Sequence, residues 1–400
     1  MANSLTAAVM RPPLVRDAHL AIYPGKSDDE AGQARSAGSV VSGGHDDGLG
    51  AGATRRPSPH EHALARRALS ILIVAHDCAE QIDRQLALLS VAARYRDWQV
   101  IVVDNASTDG TPDLVAASYP WARLIRLPVN IGYAAACNLA AQEAYGALLL
   151  LMHPDTHAQP AMIARAAARM LVNPQVGIAG GRLVDAAGND MPSSHRFPSA
   201  LGDAFAWRGP FGRAAATRRA QLDPDLQPRR RPRTVDWVSD AFAMVRHDVF
   251  RYLNGFDTRF FMYCEDIDLC RRAGAAGFEV MYWPDVRARC VSGGMAQMGG
   301  GIGQAARDAA RRERWQIRSR LLYLHKHQGS TSAWLASRIE TAWLTLAGWS
   351  YRCGDALQPA EAGEREAANG HRDAFARRAQ LGDAWRATDG GRESPPGPWR

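Results

Sequence analysis

The sequence is short of lysine, of paired cysteines and of long apolar runs. Of its 48 lysine and arginine residues only Lys26 and Lys326 are lysines, so the net charge of +7 is carried by arginine. A guanidinium presents forked donors that suit phosphate oxygens. An anionic partner (a nucleotide, a nucleic acid or an acidic membrane face) is one reading of that bias; a biased base composition of the gene is the other. The six cysteines, at 78, 137, 264, 270, 290 and 353, form no C-x-x-C pair and no regular framework. With no secretory signal at the N-terminus, they are expected to be reduced, intracellular thiols. No run approaches the ~20 apolar residues that span a bilayer. A chain of 400 residues that is 46% hydrophobic and 22% charged is expected to be soluble and globular, with room for two or three domains.

The composition changes near residue 70. Residues 1–66, rich in Gly, Ser, Ala and Pro ("GQARSAGSVVSGGHDDGLGAGATRRPSP"), lack periodicity and are expected to be a disordered leader. After them "SILIVAH", "WQVIVVDN", "ARLIRLP" and "ALLLLMHPD" are short, near-continuous apolar runs, the pattern of strands buried on both faces. Helical patterns lie between: Ile82, Leu86 and Leu89, then Leu114 and Val115, then "GYAAACNLAAQEAYG". This alternation predicts an α/β fold with a mostly parallel sheet and helices on both faces. Further on, "VGIAGGRLVDAAGN" reads as strand and turn, 199–234 as a long polar loop, and "VDWVSDAFAMVR" as a resumed strand. In "SAWLASRIETAWLTLAGWSYR", Leu335, Ile339, Trp343 and Leu346 share a helical face flanked by Trp334 and Trp349. That face is expected to pack on the domain, with an interfacial membrane helix as the alternative. The last residues, "GGRESPPGPWR", read as frayed.

In open parallel sheets ligands bind beyond the carboxyl ends of the strands. Those ends carry His76 and Asp77, Asp104 and Asn105, Asn130, and His153 and Asp155. Singly each suits a turn or helix cap; together they predict one shared crevice. "YCEDIDLCRR" (263–272) adds three carboxylates, Glu265, Asp266 and Asp268. At ~100° per helical residue Asp266 and Asp268 point to nearly opposite sides, so a helix starting here offers only one of them to a cleft. All three also suit the positive end of the helix dipole, which is a purely structural role.

The strings "VIVVDNASTDGT", "NIGYAAACNLA", "LLLLMHPDT", "VDWVSDAFAMVR", "GFDTRFFMYCEDIDLCRR" and "RSRLLYLHKH", in this order, resemble family 2 glycosyltransferases of GT-A fold, in particular rhamnosyltransferase-like bacterial members. The similarity runs from about Ser70 to about His327. It implies a GT-A domain over 67–327, with a nucleotide-sugar half (67–157), an acceptor half (158–327) and a helical, partly disordered tail (328–400). The activity implied is inverting transfer of a sugar, with dTDP-rhamnose as donor and a lipid-linked bacterial surface glycan as acceptor. The protein would be cytoplasmic, with peripheral contact on the inner face of the cell membrane, and nucleic acid is not among the expected partners.

Residue by residue, the resemblance implies that Asp104 reads the pyrimidine base with Asn105 and Ser107 beside it, and that Asn130 and His153 complete the donor site. Asp155 matches the last acid of the family's D-x-D element, which holds Mg²⁺ or Mn²⁺ against the diphosphate. His153 stands where this branch more often has Asn and the wider family Asp, which implies a weakly held metal. Asp266 matches the catalytic base, Glu265 an acceptor-hydroxyl ligand, and Trp237 and Asp240 further acceptor contacts; Asp268 is left a structural or solvated acid. Asp240 replaces a common Gly, and "AHDC" replaces the usual hydroxyl-Tyr-Asn turn. Cys290, in "PDVRARCVSGG", falls where the family carries a His that completes the metal or diphosphate site. Either the thiol ligates a softer ion, or Arg287 and Arg289 supply charge to the diphosphate, or turnover is lost; the second is expected.

Other classes fit less well. A nicotinamide-dependent oxidoreductase needs a glycine turn after the first strand, and "IVAHDCAE" has none. An aspartyl-nucleophile phosphatase wants a second acid two places after Asp104, where Ala106 stands. A non-catalytic sugar-binding protein of the same fold remains the alternative.

Overall fold

The computed structural model describes residues 69–198, 231–291, 302–355 and 376–392. The leader expected over 1–66, most of the loop expected over 199–234, and the end of the tail lie outside the described residues. The elements run β1 (Leu69–Ala75), α1 (Ala79–Arg96), β2 (Gln99–Asp104), α2 (Thr111–Ser118), β3 (Arg123–Arg126), α3 (Tyr133–Gln142) and β4 (Leu148–Met152). They continue with β5 (Thr156–Ala158), α4 (Pro160–Val172), β6 (Val176–Val184), β7 (Asp190–Met191), β8 (Ser194–His195), β9 (Arg233–Thr234), β10 (Trp237–Val238) and β11 (Phe242–Arg246). Last come α5 (His247–Tyr252), α6 (Glu265–Ala275), β12 (Glu279–Cys290), α7 (Ile302–Asp355) and a helical segment over 376–387.

The sheet order is β3-β2-β1-β4-β11-β6-β12-β5, with β7 on β6 and β9 on β12. From β3 to β4 every pairing is parallel, and so is β6 with β12. Strand β11 runs antiparallel between β4 and β6, and β5 antiparallel to β12. The strand period of two explains the layering. Leu69, Ile71 and Ile73 pack with Ile82, Leu86 and Leu89 of α1 and Ile163 and Met170 of α4. Leu72 and Val74 turn to the other face, among Ala136 and Ala140 of α3, Phe250 of α5 and Leu269 and Ala273 of α6. Cutting Leu86, fully buried, back to Ala would cost about 2–5 kcal/mol.

Four local expectations are corrected. Strand β3 lies at the sheet edge, so Arg123 and Arg126 stay in water and the strand is not buried on both faces. The loop expected to reach residue 234 ends in β9, which pairs with Met281 and Tyr282 of β12. The run "VDWVSDAFAMVR" is two strands, β10 pairing with β8 and β11 entering the main sheet. Between them the Ser239 hydroxyl accepts from the Ala241 N–H at 3.3 Å, and the turn sets Asp240 at the strand ends.

The fourth concerns the tail. Gly329, at φ 84° and ψ 168°, breaks α7 into two helical stretches. In the second, Ala333, Ala336 and Leu344 are buried, while Leu335 and Leu346 of the expected packing face are 39% and 60% exposed. Buried Glu340 selects the inward face: it meets Arg320 at 3.1 Å and Arg377 at 3.7 Å. Leu381 and Ala384 of the segment 376–387 return onto Ile317 and Leu321. No helix among the described residues is long and apolar enough to cross a membrane.

Candidate active site

The crevice forms where β1, β2 and β4 end. The loops after β1 and β2 are tied together: Ser107 Oγ accepts from the Asp77 N–H at 3.0 Å, Asp77 Oδ1 from the Thr108 N–H at 2.6 Å, and Thr111 Oγ1 from the Cys78 N–H at 3.1 Å. Asn105 donates to Asn130 Oδ1 at 3.0 Å and accepts from the Ile131 N–H at 2.9 Å, which fixes the approach to α3. Gly132 follows at φ +87°; a Cβ there would lie 2.6 Å from Phe261. The cleft, about 130 Å³, is lined by His76, Asp77, Asn105, Asn130, Tyr133, His153 and Asp155, with Met262 and Arg312 closing it from the carboxy-terminal half.

Behind this wall the polar groups are left unsatisfied. Asp104 Oδ1, Asp155 Oδ2, Asp240 Oδ2, Glu265 Oε2 and His153 Nδ1 are buried without a hydrogen-bond partner. Buried polar atoms are normally paired, so a concentration of exceptions on one wall marks where a polar ligand belongs. His153 Nε2 lies 3.3 Å from Asp240 Oδ1. Burial pulls the imidazole pKa down, but the adjacent Asp240 carboxylate outweighs it and leaves the pKa raised.

Residues Tyr263 and Cys264, at φ 71° and 64°, take the left-handed conformation that β-carbons resist. They turn the chain so that α6 opens with Glu265 and half-buried Asp266, which are not among the cleft-lining residues but lie against Asp240 and near His153 of the cleft wall. Burial raises the pKa of both acids well above the usual carboxylate range, and the charge of Asp240 adds to it. Asp266 also accepts from the Asp240 N–H and feels the opposing charge of His153. Asp268 points the other way, as the helical spacing requires, and is structural rather than solvated. Fully buried, it is held by Arg272 at 2.8 Å, Lys326 at 2.5 Å and His327 at 2.7 Å. Burial raises its pKa, but these partners overcome that and leave it lowered.

The remaining expected residues are placed less centrally. Trp237 stacks on His195 at 4.3 Å and donates to the Arg196 carbonyl at 3.0 Å, away from the cleft lining. Cys290 is buried with its Sγ 3.4 Å from Thr156 Oγ1, and burial pushes the thiol up to about 11, so it is protonated at neutral pH. A thiol ligates as thiolate. Arg287 and Arg289 lie on the exposed face of β12, opposite Val286, Ala288 and Cys290. Among the described residues no three His, Cys, Asp or Glu side chains gather as a metal site. The unpartnered Asp155 Oδ2 fits a hard cation that draws its other oxygens from phosphate and water. Tyr133, Met262 and Arg312 were not anticipated. The signal for Arg312 is its phase on α7, four residues before Gln316 and seven before Ser319.

Residues 70–253 match the family model described as glycosyl transferase family 2. N-acetylglucosaminyl-diphospho-decaprenol L-rhamnosyltransferase of Mycobacterium tuberculosis (strain ATCC 25618 / H37Rv) is 33% identical over 231 residues, covering 54% of this chain and 73% of that protein. Rhamnosyltransferase WbbL of Escherichia coli (strain K12) is 50% identical over 54 residues, 14% of this chain and 20% of that protein. Among solved structures, the mannosyltransferase PcManGT from Pyrobaculum calidifontis, in complex with GDP-Man and Mn2+, superimposes with a TM-score of 0.46 at 16% identity, covering 79% of this chain and 85% of that one.

Proposed function

This chain is a glycosyltransferase that belongs to family 2, of GT-A fold, and on that premise we propose that it inverts the anomeric centre as it moves rhamnose from dTDP-rhamnose to a hydroxyl of a lipid-linked surface glycan. The donor is handled by the half over 67–157 and the acceptor by the half over 158–327. Asp266 takes the proton from the acceptor hydroxyl. The freed oxygen bonds to the anomeric carbon while the bond from that carbon to the diphosphate oxygen breaks on the opposite face. No covalent intermediate on the protein is needed. The observation that supports this reading is the position of Asp266 in the first turn of α6, beside Asp240 and near the cleft-lining His153, with a raised pKa, which suits a base that must hold a proton in the transition state.

Asp104, at the end of β2, would read the base, and Asp155 would hold Mg²⁺ or Mn²⁺. When bound, that cation would neutralise charge developing on the departing diphosphate. Rhamnose and the polyprenyl-linked acceptor are supported by the names of the relatives above. The exposed Trp334, Leu335 and Leu346 support peripheral contact with the membrane that carries such an acceptor.

Purified protein incubated with dTDP-rhamnose and a synthetic polyprenyl-diphosphate N-acetylglucosamine, with and without Mn²⁺, tests this. The expected product is a rhamnosyl glycoside of opposite anomeric configuration. Retained configuration would overturn the mechanism; transfer from UDP-glucose or UDP-galactose alone would overturn the donor.

A further inference from the structure

We propose that Arg312, carried into the donor cleft by α7, is the protein's own cation for the donor's diphosphate. This rests on the nucleoside-diphosphate donor proposed above and adds a residue to that site. Arg312 lines the cleft together with Asp77, His153 and Asp155. A diphosphate entering there meets carboxylates, so binding requires positive charge from somewhere.

The helix is set for this task. Arg312, Trp315, Ser319 and Tyr323, spaced i, i+3, i+7 and i+11, share one face. Trp315 packs on Phe261 with ring centroids 4.8 Å apart, and Ser319 Oγ donates to the Met262 carbonyl at 2.7 Å. Tyr323, fully buried, accepts from Arg271 at 3.1 Å. The first two contacts fix α7 on the segment that leads into Asp266 and the third on α6 itself, and Arg312 lies one turn before Trp315.

Three other cations of this half are committed elsewhere. Arg272 and Lys326 hold Asp268, and Arg259 holds Asp257. Arg312, half-buried, makes no ion pair with a carboxylate among the described residues; its charge is felt by the Tyr263 hydroxyl. Arg287 and Arg289, the arginines expected in this role, face solvent on β12. A guanidinium can give two parallel N–H bonds to phosphate oxygens, and it would act most strongly as the diphosphate gains charge on departure.

The test is calorimetric binding to the full chain in Mg²⁺, with dTDP and UDP as diphosphate probes and thymidine and uridine as probes without phosphate. Arg312→Ala is expected to weaken dTDP and UDP by about 10- to 100-fold, leaving the nucleosides within about twofold. Arg312→Lys, which keeps the charge and loses the fork, should fall between, and Arg311→Ala, exposed on the same helix, should bind as wild type. Wild-type affinity of Arg312→Ala for dTDP and UDP overturns the proposal while leaving the donor assignment standing. Equal loss of nucleoside and diphosphate binding in a variant of unchanged melting temperature also overturns it. A wild-type protein that binds thymidine or uridine but neither diphosphate overturns the donor assignment and, with it, this role.

Discussion

The first turn of α6 borders two regions of opposite chemistry. On one side Glu265 and Asp266 crowd against Asp240, and buried oxygens of Glu265 and Asp240 lack partners. On the other, two residues along, Asp268 is enclosed by Arg272, Lys326 and His327. Burial together with like charge is the arrangement that suits a ligand or a reaction; the second holds helices together. The difference teaches that acids from one short string divide by their neighbours, and that charge count alone assigns neither role.

The sharpest way to break the comparison is Asp266→Asn, which keeps shape and removes the base. Transfer is expected to fall by roughly 10²- to 10⁴-fold with donor affinity nearly unchanged, read from initial rates beside nucleotide binding; near-normal turnover would remove the catalytic role. Asp268→Ala should act on the fold instead. It strands Arg272, Lys326 and the His327 ring and is expected to cost roughly 2–4 kcal/mol, seen in denaturant melts, while the folded fraction loses far less transfer than Asp266→Asn.

The two regions also answer pH in opposite senses. The raised pKa of Asp266 means its contribution to stability is fully present below the ordinary carboxylate value and is lost as pH rises through the folded one. The lowered pKa of Asp268 contributes stability above its unfolded value that is lost as pH falls through the folded one. Asp240→Asn removes a charge that raises Asp266 but keeps the N–H that bonds it. The acid limb of kcat/KM should therefore move to lower pH; a limb that stays put would mean Asp240 does not tune the base. The smallest effect belongs to His327→Ala. With Arg272 and Lys326 still on Asp268, it should cost about 1 kcal/mol in the same melts.

The parallel half of the sheet was legible because "SILIVA" and "LLLLM" are short apolar runs alternating with helical patterns at crossover spacing, and the positions just beyond them are where ligands gather. Helical angle put Asp266 and Asp268 on opposite sides, but only the resemblance said which of them faces the cleft, and neither displayed the three partners of Asp268. Asn105 and Asn130 were found by position, but whether an amide meets ligand or braces a neighbouring loop depends on contacts no string displays. In "RARC", strict alternation already puts Arg289 and Cys290 on opposite faces of a strand, as the burial of β12 bears out. Arg312 was hidden because its place depends on how a helix after residue 302 docks on residues 261–263. The tail misled for a related reason: Glu340 is buried because Arg320 and Arg377 reach it, and apolar periodicity cannot register that.

Strand β5 joins the sheet through β12, with Thr156 opposite Cys290 and the Val291 N–H bonded to the Asp155 carbonyl at 2.9 Å. The two strands lie 134 residues apart in the chain. During synthesis the strands that frame Asp104 emerge early and can pair with one another, whereas β5 must wait for the ribosome to deliver the final strand. A nascent chain is thus expected to assemble the strand ends that carry Asp104 and Asn105 before the turn that carries Asp155 is held in place.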